Sequence, residues 1–202
     1  MKQAIVFDCE FLTAEGALSR FWCGPYDPDP VVAQIGLVKL GLGGEFPVLG
    51  TQRTYVIPKN RSGKRVALDP YFSVLTGVTE RDIDAEGVPL SKALRDVEEF
   101  AAGAKLWSWG KDELNMLAIS CYIEGISPPL PASQFRNACD LLLRAGMPYE
   151  DLKRTQSNQL AGYFGVDHPD QRAHDALDDA LSVAYVIQHL LAEGRLEPSD
   201  IE

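Results

Sequence analysis

Two kinds of hydrophobic pattern divide the chain, with short continuous apolar runs near the N-terminus and helical spacing of apolar positions later on. Three runs rich in β-branched and aromatic side chains predict strands at residues 4–11, 31–40 and 52–57. A long segment, residues 11–30, separates the first two runs and is rich in Gly, Asp and Pro. We therefore expect an N-terminal meander of strands with one extended loop.

The remainder of the chain alternates between short apolar runs and amphipathic segments. Apolar residues at helical spacing predict helices at 89–102, 112–124, 159–164 and 173–193. Two short runs predict further strands at 106–109 and 135–141. Strands followed by strand–helix units favour an α/β fold, with a mixed five-stranded sheet flanked by helices. No repeat or linker divides the sequence, so we expect a single domain over residues 1–202.

Composition narrows the possible functions only a little. The chain of 202 residues carries a net charge of −10, which argues against a grip on long duplexes through many phosphate contacts. An enzyme that holds a few terminal nucleotides with the help of cations is compatible with that charge. The sequence has no apolar run long enough to span a membrane and no signal peptide, and its four cysteines are scattered. We expect cytoplasmic residence and no membrane partner.

Asp8-Cys9-Glu10 lies at the end of the first apolar run. Residues two apart in a strand point to the same face, so both carboxylates can converge on one site. Carboxylate oxygens suit Mg²⁺ or Mn²⁺, although two acids at a solvent-exposed strand end have the same pattern. The pattern alone leaves both interpretations open.

A second group of candidate residues opens the last long helix, in the segment His174-Asp175-Ala176-Leu177-Asp178-Asp179. Asp175 and Asp178 suit helix capping and the helix dipole. Asp179 lies too far into the helix to be a cap, and together with His174 it indicates a chemical role. Asp112 is a third candidate, because it follows the turn at residues 108–110 and precedes a predicted helix. Capping of that helix is the alternative for Asp112.

Taken in order, these three motifs resemble those of the DEDD exonucleases of the histidine subtype, also called DnaQ-like. The motifs are Asp8-x-Glu10, Asp112 after a Ser-Trp-Gly turn, and His174 five residues before Asp179. Segments 34–36 (QIG) and 75–79 (LTGVT) are also similar to that family. Within the family, the chain most resembles exonuclease domains that trim RNA 3′ ends. The resemblance covers residues 4–190, nearly the whole chain.

This resemblance implies a ribonuclease H-like fold and a two-metal phosphodiesterase site that uses two Mg²⁺ or Mn²⁺ ions. Asp8, Glu10 and Asp179 would hold one ion, and Asp8 would bridge to a second that Asp112 reaches. His174 would take a proton from the attacking water, for which an imidazole suits neutral pH. The implied activity is 3′→5′ exonuclease action on single-stranded nucleic acid, with RNA slightly favoured over DNA and nucleoside 5′-monophosphates as products.

The resemblance also implies which residues contact the substrate, a 3′ end of single-stranded RNA or DNA. They are Phe11, Leu12 and Thr13 after the first motif, and Leu75 and Thr76 in the segment before a helix. Core packing is the alternative for each of them.

The position of the middle acid is ambiguous by one residue, because Glu113 follows Asp112 directly. We favour Asp112, which keeps the usual residue type and the expected spacing to Met116 and Leu117.

Two other functions compete with an exonuclease. The strand ending in Asp8-Cys9-Glu10 superficially matches haloacid-dehalogenase phosphatases, but their second Asp is Glu10 here and the late acids lie on a helix. A non-catalytic nucleic-acid-binding or scaffold domain of the same fold is the second alternative. Such domains usually lack ligand residues, whereas all five candidate site residues are present in this chain.

Overall fold

A five-stranded mixed sheet forms the centre of the protein, whose computed structural model describes residues 2–168 and 172–202. The strands are β1 (Gln3–Phe11), β2 (Val32–Gly41), β3 (Val48–Tyr55), β4 (Leu106–Ser108) and β5 (Phe135–Asn137). They lie in the order β3-β2-β1-β4-β5. β1, β2 and β3 pair antiparallel, whereas β4 is parallel to both β1 and β5. The predicted mixed sheet is thus confirmed.

Helices cover both faces of this sheet. They are α1 (Pro70–Thr76), α2 (Glu80–Glu86), α3 (Leu90–Ala101), α4 (Asp112–Glu124), α5 (Ala138–Arg144), α6 (Tyr149–Leu152), α7 (Leu160–Phe164), α8 (Ala176–Ala192) and α9 (Pro198–Ile201). The four predicted helices correspond to α3, α4, α7 and α8. The others span seven residues or fewer, and several of them begin at a side-chain cap, such as the Asp69 side chain that accepts from the Tyr71 amide in α1. Segments this short contain too few apolar positions for a periodic pattern.

Three predicted elements have wrong bounds. The third strand was expected over 52–57 but is Val48–Tyr55, because its pairing with β2 begins at Val48. A cap explains each of the other two. The fifth strand was expected over 135–141 but ends at Asn137, whose side chain accepts from the Cys139 amide and starts α5. The last long helix was expected from residue 173 but begins at Ala176, because Asp175 is its N-cap and His174 has a left-handed φ of 60°. In both cases a polar residue that was expected inside an element lies at the end of one.

β1 is the central strand, and its alternate residues belong to two separate cores. Ala4 and Val6 pack with α8, in a cluster that includes Ala180 and Ile187. Ile5, Phe7 and Cys9 face the opposite cluster, which contains side chains of α3 and α4. By the two-residue period of a strand, Asp8 and Glu10 continue the face that is covered by α8. The sheet therefore directs both carboxylates toward that helix.

The segment between β1 and β2 folds back over the end of β1. It contains a 3₁₀ turn (Leu18–Arg20), and the indole N–H of Trp22 donates to the carbonyl oxygen of Leu12 at 3.0 Å. The Trp22 ring meets Phe11 edge-on, with centroids 5.4 Å apart. All four cysteines are free, and no helix within residues 2–168 and 172–202 is long and apolar enough to cross a membrane.

Candidate active site

The N-terminus of α8 is docked on β2 by a glycine and a glutamine. A Cβ on Gly36 would lie 2.2 Å from backbone atoms of Ala176 and Leu177, so only glycine allows this approach. The Gln34 side chain accepts from the Ala176 amide at 2.8 Å and donates to the Asp175 carboxylate at 3.2 Å. These contacts give the Gln-Ile-Gly segment of β2 a physical role: it fixes the start of α8 against the sheet.

Asp175 caps α8, as its sequence position predicts. Its carboxylate accepts from the amides of Leu177 and Asp178, and Arg53 on β3 forms an ion pair with it at 2.7 Å. The Arg53 contact offsets part of this charge, although Asp175 still contributes to raising the pKa of Glu10 and Asp179. Asp179 lies one turn after this cap, and its side chain points into the protein.

Glu10, His174 and Asp179 meet at the end of β1. Each offers one potential ligand atom, and these atoms lie within 4.8 Å of one another. Asp8 is 8% exposed and lines the same cavity. We call this cavity the acidic cleft; its lining includes Asp8, Glu10, Asp112, Glu113, His174 and Asp179. All the catalytic residues predicted from the sequence therefore border one cleft, although not with equal burial.

The two candidates for the middle acid differ in burial. Both Asp112 and Glu113 border the cleft, but Asp112 is exposed whereas Glu113 is only 6% exposed. Glu113 is also the nearby charge that contributes most to raising the Asp8 pKa, after burial itself. The preference for Asp112 depended on residue type and spacing, which do not reveal which side of α4 faces the sheet. The structure places Glu113 beside Asp8, and Asp112 at the rim.

The acidic cleft concentrates negative charge that the described residues do not balance. Burial, reinforced by the neighbouring carboxylates, raises the pKa of Glu10 to about 8 and the pKa of Asp8 well above its ordinary value. Burial likewise raises the pKa values of Glu113 and Asp179 to about 7. One carboxylate oxygen on each of Glu113 and Asp179 is buried without a hydrogen-bond partner among the described residues. Unpartnered carboxylate oxygens at this density suit a hard divalent cation.

His174 faces the same cleft from a strained backbone. Its φ of 60° is unusual for a residue other than glycine, and its backbone N–H is near enough to the Asp179 carboxylate to oppose the rise in the pKa of that group. Burial lowers the pKa of the His174 imidazole. The imidazole is therefore neutral at pH 7 and has a nitrogen lone pair available to accept a proton.

Sequence reasoning did not find the segment that closes the cleft opposite β1. Residues 155–158 line it, and the Ser157 hydroxyl donates to the Asp179 carboxylate at 3.4 Å. This segment has no periodic pattern, and its polar residues are typical of any loop. The 3₁₀ turn Ser157–Gln159 and the following helix, α7, both pack against α8, and this packing brings the segment to the site.

A second cavity adjoins the acidic cleft and shares Glu10 and His174 with it. We call it the apolar cleft; it is lined mainly by Phe11, Leu18, Trp22, Tyr71 and Leu75, with Thr13 at its side. Three of the predicted substrate-binding residues, Phe11, Thr13 and Leu75, are thus brought next to the carboxylates.

The side chains of the other two predicted substrate-binding residues do not reach the cleft. Leu12 is 1% exposed and packs in a core cluster with Phe72 and Ile83. The Thr76 hydroxyl is used within its own helix end, where it donates to the Phe72 carbonyl and accepts from the Val78 amide. The structure gives both side chains a packing or capping role.

Comparison with solved structures identifies the fold. The nuclease domain of 3′hExo, a DEDDh family member bound to rAMP, superposes with a TM-score of 0.77 over 96% of this chain and 93% of that domain, at 20% identity. A 3′-exonuclease in a structure of 3′-end-specific recognition of a histone mRNA stem-loop gives a TM-score of 0.75 at 20% identity. Exonuclease I of E. coli in complex with single-stranded DNA gives 0.61 at 17% identity.

The chain therefore has the ribonuclease H-like fold of DEDD-family 3′→5′ exonucleases. It spans 64% of the 3′-exonuclease in the stem-loop structure and 41% of exonuclease I, so those proteins contain further parts. No protein-family model and no curated protein sequence matches the chain. The likeness is one of fold, and the activity has to be argued from the site.

Proposed function

We propose that the chain is a metal-dependent 3′→5′ exonuclease that removes nucleoside 5′-monophosphates from single-stranded nucleic acid. The observation that carries this proposal is the junction of the two clefts. A cluster of buried carboxylates with one histidine lies next to an apolar cleft, and the two clefts share Glu10 and His174. The fold shared with known exonucleases supports the same conclusion.

Asp8, Glu10, Glu113 and Asp179 would hold two divalent cations, Mg²⁺ or Mn²⁺. The fit follows from the unpartnered oxygens of Glu113 and Asp179 and from the raised pKa values of the group, since cations relieve both costs. When bound, such ions supply charge stabilisation to a phosphodiester undergoing in-line displacement. With Glu113 as the fourth carboxylate, the site has one longer side chain than the sequence predicted.

His174 would accept the proton from the attacking water. Its pKa is lowered by burial, so it enters the reaction neutral, and its position beside Glu10 and Asp179 places it at the edge of the ionic cluster. The imidazole thus has both the protonation state and the location that a general base needs.

The apolar cleft would receive the 3′-terminal nucleotide. Phe11 and Leu75 present apolar surface on which a base can stack, and Thr13 adds a hydroxyl at the side. Stacking is tolerant of sequence, as expected for an exonuclease that degrades progressively. We favour RNA as the substrate because similar structures hold rAMP or recognise an mRNA 3′ end.

A degradation assay tests the proposal. The purified protein with Mg²⁺ or Mn²⁺ is incubated with 5′-labelled single-stranded RNA and DNA of equal sequence, and with a circular single strand. We expect a ladder that shortens from the 3′ end and an intact circle. Glu10→Gln is the matched control, since it removes one charge without shortening the side chain.

The outcomes separate the alternatives. Cleavage of the circle at a comparable rate would show endonuclease action. A scaffold domain would give no ladder and has no use for the unpartnered oxygens of Glu113 and Asp179. A haloacid-dehalogenase mechanism would instead trap a phosphoryl adduct on Asp8.

A further inference from the structure

Four of the 19 Lys and Arg residues of this acidic chain lie within seven consecutive positions. They are Lys59, Arg61, Lys64 and Arg65, in the connection between β3 and α1. No acid occurs in residues 59–65, whereas the rest of the sequence has 15 Lys and Arg against 29 Asp and Glu. We call residues 59–65 the basic hairpin. Its positive charge is the opposite of what the remainder of the protein would lead one to expect.

The basic hairpin is a rigid turn. Lys59 and Arg65 pair as an antiparallel bridge, and the Gly63 amide donates to the Asn60 carbonyl at 2.8 Å. The Asn60 side chain accepts from the Ser62 amide, the Ser62 hydroxyl and the Lys64 amide, at 2.7–3.0 Å. A preformed turn loses little conformational entropy when its side chains bind a ligand.

Two contacts fix the direction in which the basic hairpin points. Arg65 is paired with Glu80 and Asp84 of α2, which ties one side of the turn to the protein. On the other side, the Arg61 guanidinium lies 5.2 Å from the ring centre of Tyr122 on α4. Arg61 and Lys64 are exposed, and neither has an ion-pair partner within the described part of the chain. Two cations thus remain available for an external anion.

Tyr122 gives this surface a second property, because its side chain is 73% exposed. An arginine over an exposed aromatic ring, beside a further free cation, combines a stacking platform with phosphate-binding charge. Proteins that hold single-stranded nucleic acid without sequence preference use that combination. A surface cation that binds no ligand would not need the neighbouring Tyr122 ring.

The geometry also connects the basic hairpin to the acidic cleft. α4 begins with Asp112 and Glu113 at the cleft and reaches Tyr122 ten residues later. At a rise of about 1.5 Å per residue, that distance is roughly 15 Å along the helix, and at about 100° per residue Tyr122 is turned about 80° from Asp112 around the axis. A stacked strand advances about 3.4 Å per nucleotide, so a strand needs at least about four nucleotides to reach this surface from the scissile bond.

We propose that Arg61, Lys64 and Tyr122 bind the backbone of the substrate strand a few nucleotides to the 5′ side of the cleaved end. The proposal rests on the proposed function and adds to it a dependence on substrate length. A trinucleotide is too short to reach the basic hairpin, whereas a decanucleotide is long enough. The hairpin contributes affinity for long strands and plays no part in the chemistry.

The test compares the double variant Arg61→Ala/Lys64→Ala with the parent protein on both substrates. We expect the KM for a single-stranded decanucleotide to rise about tenfold with kcat unchanged, since each lost phosphate contact weakens binding modestly. KM for the trinucleotide should not change. The slope of log KM for the decanucleotide against log salt should decrease by about 1.4, corresponding to two contacts with a single strand.

A control with the same change in charge is available elsewhere. Arg95→Ala/Lys105→Ala removes two positive charges from α3 and from the segment before β4, where Lys105 borders the opposite end of the sheet. This control should leave both KM values unchanged. Tyr122→Ala should weaken decanucleotide binding while the net charge stays constant.

Equilibrium binding separates this inference from the catalytic proposal. Anisotropy of a labelled decanucleotide in Ca²⁺ reports affinity whether or not the protein hydrolyses it. Weaker binding by the Arg61/Lys64 variant than by the control supports the basic hairpin even if no ladder forms. Equal binding by the two double variants, no binding by the parent, or an equal loss on the trinucleotide would overturn it.

Discussion

Replacement of Glu113 by glutamine tests the largest difference between the site expected from the sequence and the one in the structure. The Glu113 carboxyl is 6% exposed, one of its oxygens has no partner, and its pKa is about 7 instead of 4.5. Because the folded pKa is raised, protonation of Glu113 stabilises the fold at low pH, and this contribution is lost as pH rises through about 7. At pH 8 the metal-free protein therefore carries the full cost of the buried charge.

The size of that cost follows from the pKa change. At 1.36 kcal/mol per pKa unit, a shift from 4.5 to about 7 corresponds to about 3 kcal/mol. Glu113→Gln should recover about 1–3 kcal/mol of unfolding free energy at pH 8, since burial is the main cause of the raised pKa and a buried amide still carries part of the desolvation cost. For a domain of this size that means a rise in Tm of roughly 2–10 °C. At pH 5, where Glu113 is already protonated in the fold, the variant should differ little from the parent.

Thermal melts with EDTA and with millimolar Mn²⁺ measure both effects. Mn²⁺ should raise the Tm of the parent and raise that of Glu113→Gln much less, because one ligand is lost. Asp112→Asn is the matched control, one residue away and exposed, and it should shift the free energy by no more than about 0.5 kcal/mol. If Asp112→Asn abolishes the Mn²⁺ effect while Glu113→Gln preserves it, the assignment of the middle acid to Glu113 is refuted.

Three further predictions concern the framework and the base. Gly36→Ala should lower the Tm and abolish activity, because the new Cβ would lie 2.2 Å from the α8 backbone. Gly50→Ala on β3 is the control, since its Cβ would meet nothing within 4 Å and should be tolerated. Melting curves and turnover rates compare the two variants. His174→Ala should reduce kcat about 10²–10⁴-fold while keeping Mn²⁺ affinity, whereas Asp179→Ala should lose both activity and Mn²⁺ affinity. Calorimetry measures the Mn²⁺ affinity and single-turnover kinetics the rate; near-normal turnover in His174→Ala would exclude the histidine as base. Trp22→Phe removes the indole hydrogen bond to the Leu12 carbonyl in the wall of the apolar cleft, so it should lower the free energy of unfolding by about 1 kcal/mol. It should also raise KM more than it lowers kcat; an unchanged KM would show that this wall does not bind substrate.

The sequence determined the parts of the site that depend on local periodicity. Asp8 and Glu10 share a face because a strand repeats every two residues, and the apolar run before them predicts the strand itself. Asp175 was recognisable as a cap and Asp179 as an inward residue, since both follow from position within one helix. These inferences need no knowledge of what packs against the element.

Tertiary structure decided the features that depend on how one element lies on another. Neighbouring positions in a helix differ by about 100°, so the choice between Asp112 and Glu113 was set by the rotation of α4 on the sheet. The fit of Gly36 beneath Ala176 is likewise a contact between residues 140 positions apart in the chain. A sequence pattern records which face of an element is apolar, but the polar residues at the edge of that face turn inward or outward only when the packing angle is fixed.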